Sequence, residues 1–318
     1  MDPYKGSLAL PLLCTAIMGI GIQRGSTCVV AAVEDAVLAR RFGRLGALLE
    51  AAAWATGILL LAHLAFGIEQ FPAGFAGTWL TPLGGALLGL GAFLNGACAM
   101  GTIAGIANGD GSYLFTLLGM LGGYACQRLV AGTWTTSDPH APYLLAYELP
   151  LVIGLGILVC WRLGKAHRML RGHPTWRRAV REAWAPHAAV SVTTVAFALG
   201  AIAFQPWTYT DLLRDAALGM GVWLRERTLL SAALFGGALL AGVTMARWRP
   251  TPPQLLPAIR CASGGALMAV GSMLIPGQND GRLLIGMPML RPHAWVASAS
   301  MLLTIACLIA VAHRAKRR

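Results

Sequence analysis

The chain has 318 residues, of which 56% are hydrophobic and only 12% charged, and its net charge is +12. A soluble domain carries about 25% charged residues, so composition excludes a soluble globular protein. The positive balance is read as basic loops facing an anionic cytoplasmic leaflet, not as a nucleic-acid surface.

The start, "MDPYKGS", lacks the positive n-region of a secretory signal. Charge-free runs then follow at Gly6 to Gln23, Ala51 to Ile68, Gln70 to Gly109, Ala183 to Thr210, Thr228 to Ala246, Cys261 to Asn279 and Pro292 to His313. A spanning helix needs about 20 apolar residues, and these runs meet or approach that length. Short alternating segments of the kind that build a membrane barrel are absent. The pattern predicts an all-α integral membrane protein with about nine transmembrane helices. They fall near residues 7–23, 45–67, 79–95, 112–131, 144–162, 187–204, 228–246, 258–276 and 294–312.

The loops give the orientation. Alternating them between two sides gathers Arg24, Arg40, Arg41, Arg44, the basic stretch Arg162 to Arg181, Arg247, Arg249, Arg260 and the tail "HRAKRR" on one side. The other side receives Lys5, Arg128, Arg214, Arg225, Arg227, Arg282 and Arg291. By the positive-inside rule the N-terminus is outside and the C-terminus cytoplasmic.

A shift of 180 residues aligns the two halves without a gap. "GGALLGLGAFLNGACAMG" from Gly84 falls on "GGALMAVGSMLIPGQNDG" from Gly264, and Asp35 falls on Asp215. The division is a first repeat over 1–143, a linking span and basic cytoplasmic loop over 144–186, and a second repeat over 187–318. Four spans plus one linking span make an odd number, so the second repeat enters the membrane inverted.

Four semi-polar segments interrupt the apolar pattern: 23–35, 95–111, 205–215 and 276–288. Irregular backbone at membrane depth survives only where protein or a cavity satisfies it, so each is expected to be a re-entrant loop followed by a short helix. Helix N-termini at such tips offer N–H groups and positive dipole ends to an anion. The offset pairs Cys28 with Thr208 and Cys98 with Gln278, and these four, with Asn279 beside Gln278, are the candidate pathway residues. Arg24 stands at the cytoplasmic end, where it either attracts anions or simply obeys the positive-inside rule. No acid–base pair accompanies the cysteines, which argues against an enzyme. His293 has no partner at ligand spacing, so neither a metal nor another cofactor is expected.

The segments "MGIGIQRGSTCVVAAVED", "GGALLGLGAFLNGACAMG" and "GGALMAVGSMLIPGQNDGRLLIGMPMLRPHA" resemble the YeeE/YedE sulfur-transport family, over nearly the whole chain. The resemblance implies a multi-pass bacterial inner-membrane protein with hourglass-like inverted halves. It implies a small sulfur anion such as thiosulfate as substrate, with Cys28 and Cys98 as pathway thiols, and TusA-like cytosolic sulfur carriers as partners. Where the family has a third cysteine, this chain has Gln278, which leaves other sulfur or selenium species open. The alternatives are an intramembrane sulfurtransferase with a persulfide on Cys98 or Cys28, and a membrane scaffold using the basic loop.

Overall fold

Twelve α-helices follow from the run of Ala, Gly and Leu-rich segments in a computed structural model that describes residues 8–67, 74–126, 137–138, 143–170, 181–275 and 281–317. In chain order they are α1 (Ala9–Gly25), α2 (Val29–Leu38), α3 (Gly43–Phe66), α4 (Leu80–Asn95), α5 (Ala99–Ala107) and α6 (Leu114–Cys126). Then come α7 (Glu148–Leu170), α8 (Pro186–Ala203), α9 (Tyr209–Leu218), α10 (Leu224–Thr244), α11 (Leu255–Leu274) and α12 (Pro292–Arg317). A π-helical turn, Arg282–Gly286, precedes α12, and a two-residue antiparallel pair joins Gly74–Phe75 to Ser137–Asp138.

Eight stretches among the described residues are long and apolar enough to cross a membrane, by length and composition. Helices are the natural solution there, because every backbone group finds its partner within the segment. The span expected near 112–131 is helical over Leu114–Cys126, and the residues that follow lie outside the described set. The remaining eight expected spans all coincide with the eight long apolar stretches.

Long helices stop where the chain turns left-handed. Ser26 follows α1 with φ 47°, and Gly96 follows α4 with φ 76°. Such a C-terminal residue caps the last carbonyls, and glycine adopts it without a Cβ penalty. A short extended step follows each stop, and a new, short helix then begins.

Close backbone contact holds the long helices together. A Cβ on Gly84 would lie 2.7 Å from the Gly271 carbonyl oxygen, and one on Gly91 would lie 2.6 Å from that of Gly264. The partner position falls as the first rises, so α4 and α11 cross antiparallel. On α1, Gly21 meets Thr193 and Gly25 meets Ala189, so α1 and α8 also run antiparallel. By contrast Gly85 and Gly89 meet Ala297 and Met301, and α4 runs parallel to α12. Lipid tails are as apolar as leucine, so association rests on this intimate packing of small residues.

The surface is apolar, as a bilayer requires: Leu10, Leu13, Leu64, Leu118, Ile157 and Leu303 are all exposed. α7 is the most peripheral span, with none of its apolar window buried. Glu50 of α3 ties it to the body by pairing with Arg162 of α7 and with His187 Nδ1 of α8 at 2.7 Å.

Replacing Gly91 by Leu is expected to abolish or strongly destabilise the folded protein, since overpacking of a tight core costs about 1–3 kcal/mol or more. Gly122→Leu, where a Cβ meets nothing within 4 Å, is expected to be silent. Thermal unfolding of the two variants in detergent measures the difference, and equal stability would contradict the packing account.

Candidate functional site

Three short helices begin at the sequence-predicted tips. Cys28 is the extended residue before α2 (φ −143°, ψ 128°), Cys98 the one before α5 (φ −80°, ψ −179°), and Thr208 the one before α9 (φ −135°, ψ 159°). These helices have 10, 9 and 10 residues. Each residue therefore stands at the positive end of a helix, where the first N–H groups lack intrahelical partners.

A buried amide fixes the turn before Cys98. Asn95 donates through Nδ2 to the Ala97 carbonyl at 2.7 Å and to Thr102 Oγ1 at 3.2 Å, and it accepts from Thr116 Oγ1 at 2.6 Å. Thr102 in turn donates to the Cys98 carbonyl at 3.1 Å. The loop is thus held from α4, α5 and α6 together.

Cys28 and Cys98 are neighbours, although 70 positions separate them. The Val29 N–H, first in α2, donates to Cys98 Sγ at 3.2 Å. The Cys28 side chain lies over Gly101, where a Cβ would come within 2.6 Å of the sulfur. The thiols are in direct interaction range of one another. Cys98 is fully buried and Cys28 half-buried. All seven cysteines are free thiols. Of the other five, Cys14 and Cys261 are buried, while Cys126, Cys160 and Cys307 are exposed on helices.

Thr208 is capped by its own helix. Its N–H donates to Asp211 Oδ2 at 2.9 Å, and its hydroxyl donates to the same oxygen at 2.8 Å and pairs with the Thr210 hydroxyl at 2.8 Å. The Thr208 methyl approaches Gly281. Gln278 and Asn279, like Asp280, lie outside the described residues. Tyr209, the next residue after Thr208, spans the gap to the thiols: its hydroxyl donates to the Ala99 carbonyl at 2.8 Å.

Beside Thr208 opens a cavity of about 350 Å³. Arg214, Arg227, Arg282, Arg291 and His293 line it, together with Asp211 and Asp215. Asp215 is paired with Arg227, and Arg282 is 1% exposed with Nη2 3.5 Å from Met301 Sδ. Four guanidinium groups against two carboxylates give a concave cationic surface, which concentrates anions.

Arg24 holds a helix junction. Its guanidinium donates to the Glu182 carbonyl at 3.3 Å and to Thr244 Oγ1 at 2.9 Å, and it lies 5.4 Å from the Trp184 ring centre. It staples α1 to the end of α10 and to the chain entering α8. Sequence reasoning passed over Asn95 and Tyr209 and treated Arg282 and Arg291 only as loop charges. The position of Arg282 inside the interrupted segment 276–288 was the available signal. Among the described residues no three His, Cys, Asp or Glu side chains converge as a metal site would need.

The thiosulfate transporter TsuA of Escherichia coli (strain K12) is 25% identical to the chain over 329 aligned residues, which cover 92% of this chain and 91% of that protein. The family model described as Sulphur transport matches residues 24–307, a stretch that holds the cysteine pair, Thr208 and every arginine of the cavity. The chain belongs to the Sulphur transport family.

Proposed function

We propose that this protein takes up thiosulfate, or a closely related sulfur anion, across the bacterial inner membrane as a permease. The carrying observation is the pair of thiols, Cys28 and Cys98, brought together at two helix N-termini inside an apolar helical body. A dianion leaving water needs donors to offset its lost hydration. Thiols, N–H groups and a hydroxyl supply many weak ones, which bind an ion lightly enough to release it. The relative named a thiosulfate transporter supports the substrate.

The path runs from the arginine cavity past Thr208 to Cys98 and Cys28. Two repeats, 1–143 and 187–318, joined by 144–186, form its walls. Three features support the inversion. α2 and α9 begin and end 180 residues apart, at Val29 and Tyr209 and at Leu38 and Leu218. Gly84 and Gly91 touch Gly271 and Gly264, the offset partners of Gly91 and Gly84. Both α4 with α11 and α1 with α8, equivalent helices under the offset, cross antiparallel, as inversion requires. Re-entrant segments fit the short helices that follow each break. Charge distribution supports an outside N-terminus and a cytoplasmic C-terminus, and it suits anionic lipid and a TusA-like carrier at the basic inner face. The cavity arginines Arg214, Arg227, Arg282 and Arg291 have Glu34, Ala47, Thr102 and Gly111 at their offset positions. This cationic cavity therefore belongs to the second repeat and has no counterpart at the equivalent positions of the first, an asymmetry that suits uptake.

Cells lacking their own importers, given labelled thiosulfate, provide the test. Wild type is expected to accumulate label, Cys28→Ala and Cys98→Ala to fall about tenfold or more, the scale of one lost hydrogen bond to a charged group. Cys307→Ala, on the outer face of α12, is expected to match wild type. Wild-type uptake no better than empty vector would refute the transport reading, and a persulfide trapped on Cys98 would favour the sulfurtransferase. Arg214→Gln is expected to raise the half-saturating concentration about threefold to tenfold and to weaken its dependence on ionic strength. An unchanged salt profile would remove the cavity from the pathway.

A further inference from the structure

We infer that Tyr209 is the gating and selectivity residue between the cationic cavity and the thiol pair; the inference rests on the transport reading above. Tyr209 is 3% exposed and its ring is fixed edge-on against Phe235, with centroids 5.6 Å apart. It follows Thr208, which lies against Gly281 and Asp211 of the cavity wall. Its hydroxyl ends on the carbonyl of Ala99, the residue after Cys98. One side chain thus bridges the start of α9, beside the cavity wall, and the backbone next to the buried sulfur, and this bridge is the gate we infer.

The bond it makes is an exchangeable one. Ala99 opens α5, so its carbonyl serves the helical main chain four residues on, and the phenol is an additional donor to it. Losing the phenol therefore leaves no unpaired backbone group in the interior. An anion oxygen arriving from Thr208 is a stronger acceptor than a carbonyl that is already engaged. The phenol changes partner, from the Ala99 carbonyl to the anion, and in doing so both opens the line and contributes a donor to the passing ion. Without a suitable acceptor the bridge stays shut. Because the ring is held by Phe235, the hydroxyl moves by a small ring displacement, not by a helix motion. In the first repeat the position equivalent to Tyr209 is Val29, whose side chain has no donor. This phenol therefore has no counterpart at the offset position, and the gate lies on the cavity side of the thiols.

Purified protein in liposomes, tested with labelled thiosulfate and separately with labelled iodide, decides this. Tyr209→Phe keeps the ring and removes the donor. It is expected to lower the maximal thiosulfate rate about tenfold, with the half-saturating concentration within twofold of wild type and unchanged thermal stability. Tyr209→Leu removes the plug while staying apolar, and is expected to pass iodide, too weak an acceptor to draw the phenol off Ala99, faster than wild type does. A role in packing alone would leave Tyr209→Phe at the wild-type rate, and that result overturns the inference. So does a Tyr209→Leu protein that passes iodide no faster than wild type. Wild-type liposomes that fail to take up thiosulfate would instead overturn the transport reading itself.

Discussion

The Val29 N–H has no carbonyl four residues behind it within its own helix, and it lies in the interior of a protein built for hydrocarbon. Leaving such a group unpaired costs several kcal/mol in a bilayer, because no water can take the place of the missing acceptor. The sulfur of Cys98 accepts it at 3.2 Å. That bond lets α2 start mid-chain after the Ser26 turn, and it brings the Cys28 side chain onto Gly101. The thiol pair is therefore also the structural solution to a broken helix. Chemistry and backbone accounting meet in one pair of side chains.

The breaks themselves are tolerable only because the long helices around them are held at backbone distance. Gly84, Gly91, Gly264 and Gly271 bring α4 and α11 together, and α1 carries Gly19 against the Leu234 carbonyl of α10. With the helices this close, the loop ends start from a rigid frame. Asn95 then fixes the loop before Cys98 through α5 and α6. Rigidity matters for a transient ligand, since donors already in place need no ordering when the ion arrives.

Much of the site is legible from sequence because broken apolar patterns have few physical explanations. The segments at 23–35, 95–111 and 205–215 do contain the starts of short helices, and Cys28, Cys98 and Thr208 are the extended residues immediately before them. Pattern alone also locates eight of the spans. What it misses is contact across long separations. Tyr209 reads as one more residue of an amphipathic turn, and nothing local shows that its hydroxyl reaches Ala99, 110 positions away. Arg282 reads as an outer-loop cation, yet it is among the largest fully buried side chains. Arg24 fits two sequence readings, and its bonds to Glu182 and Thr244 show a staple between helices.

The capping of α9 distinguishes Thr208 from the two cysteines electrostatically. Asp211 sits in the first turn of α9 and places a negative charge against its positive dipole end, whereas the first turns of α2 and α5 hold no acid. The helix at the cavity mouth is therefore already compensated, while the two at the thiols keep their positive potential. For an anion on the proposed route, the surroundings grow more attractive inward of Thr208 and not at it. The scaffold's own peptide dipoles thus form a downhill step from threonine to cysteine, set by a single carboxylate that never needs to touch the ion.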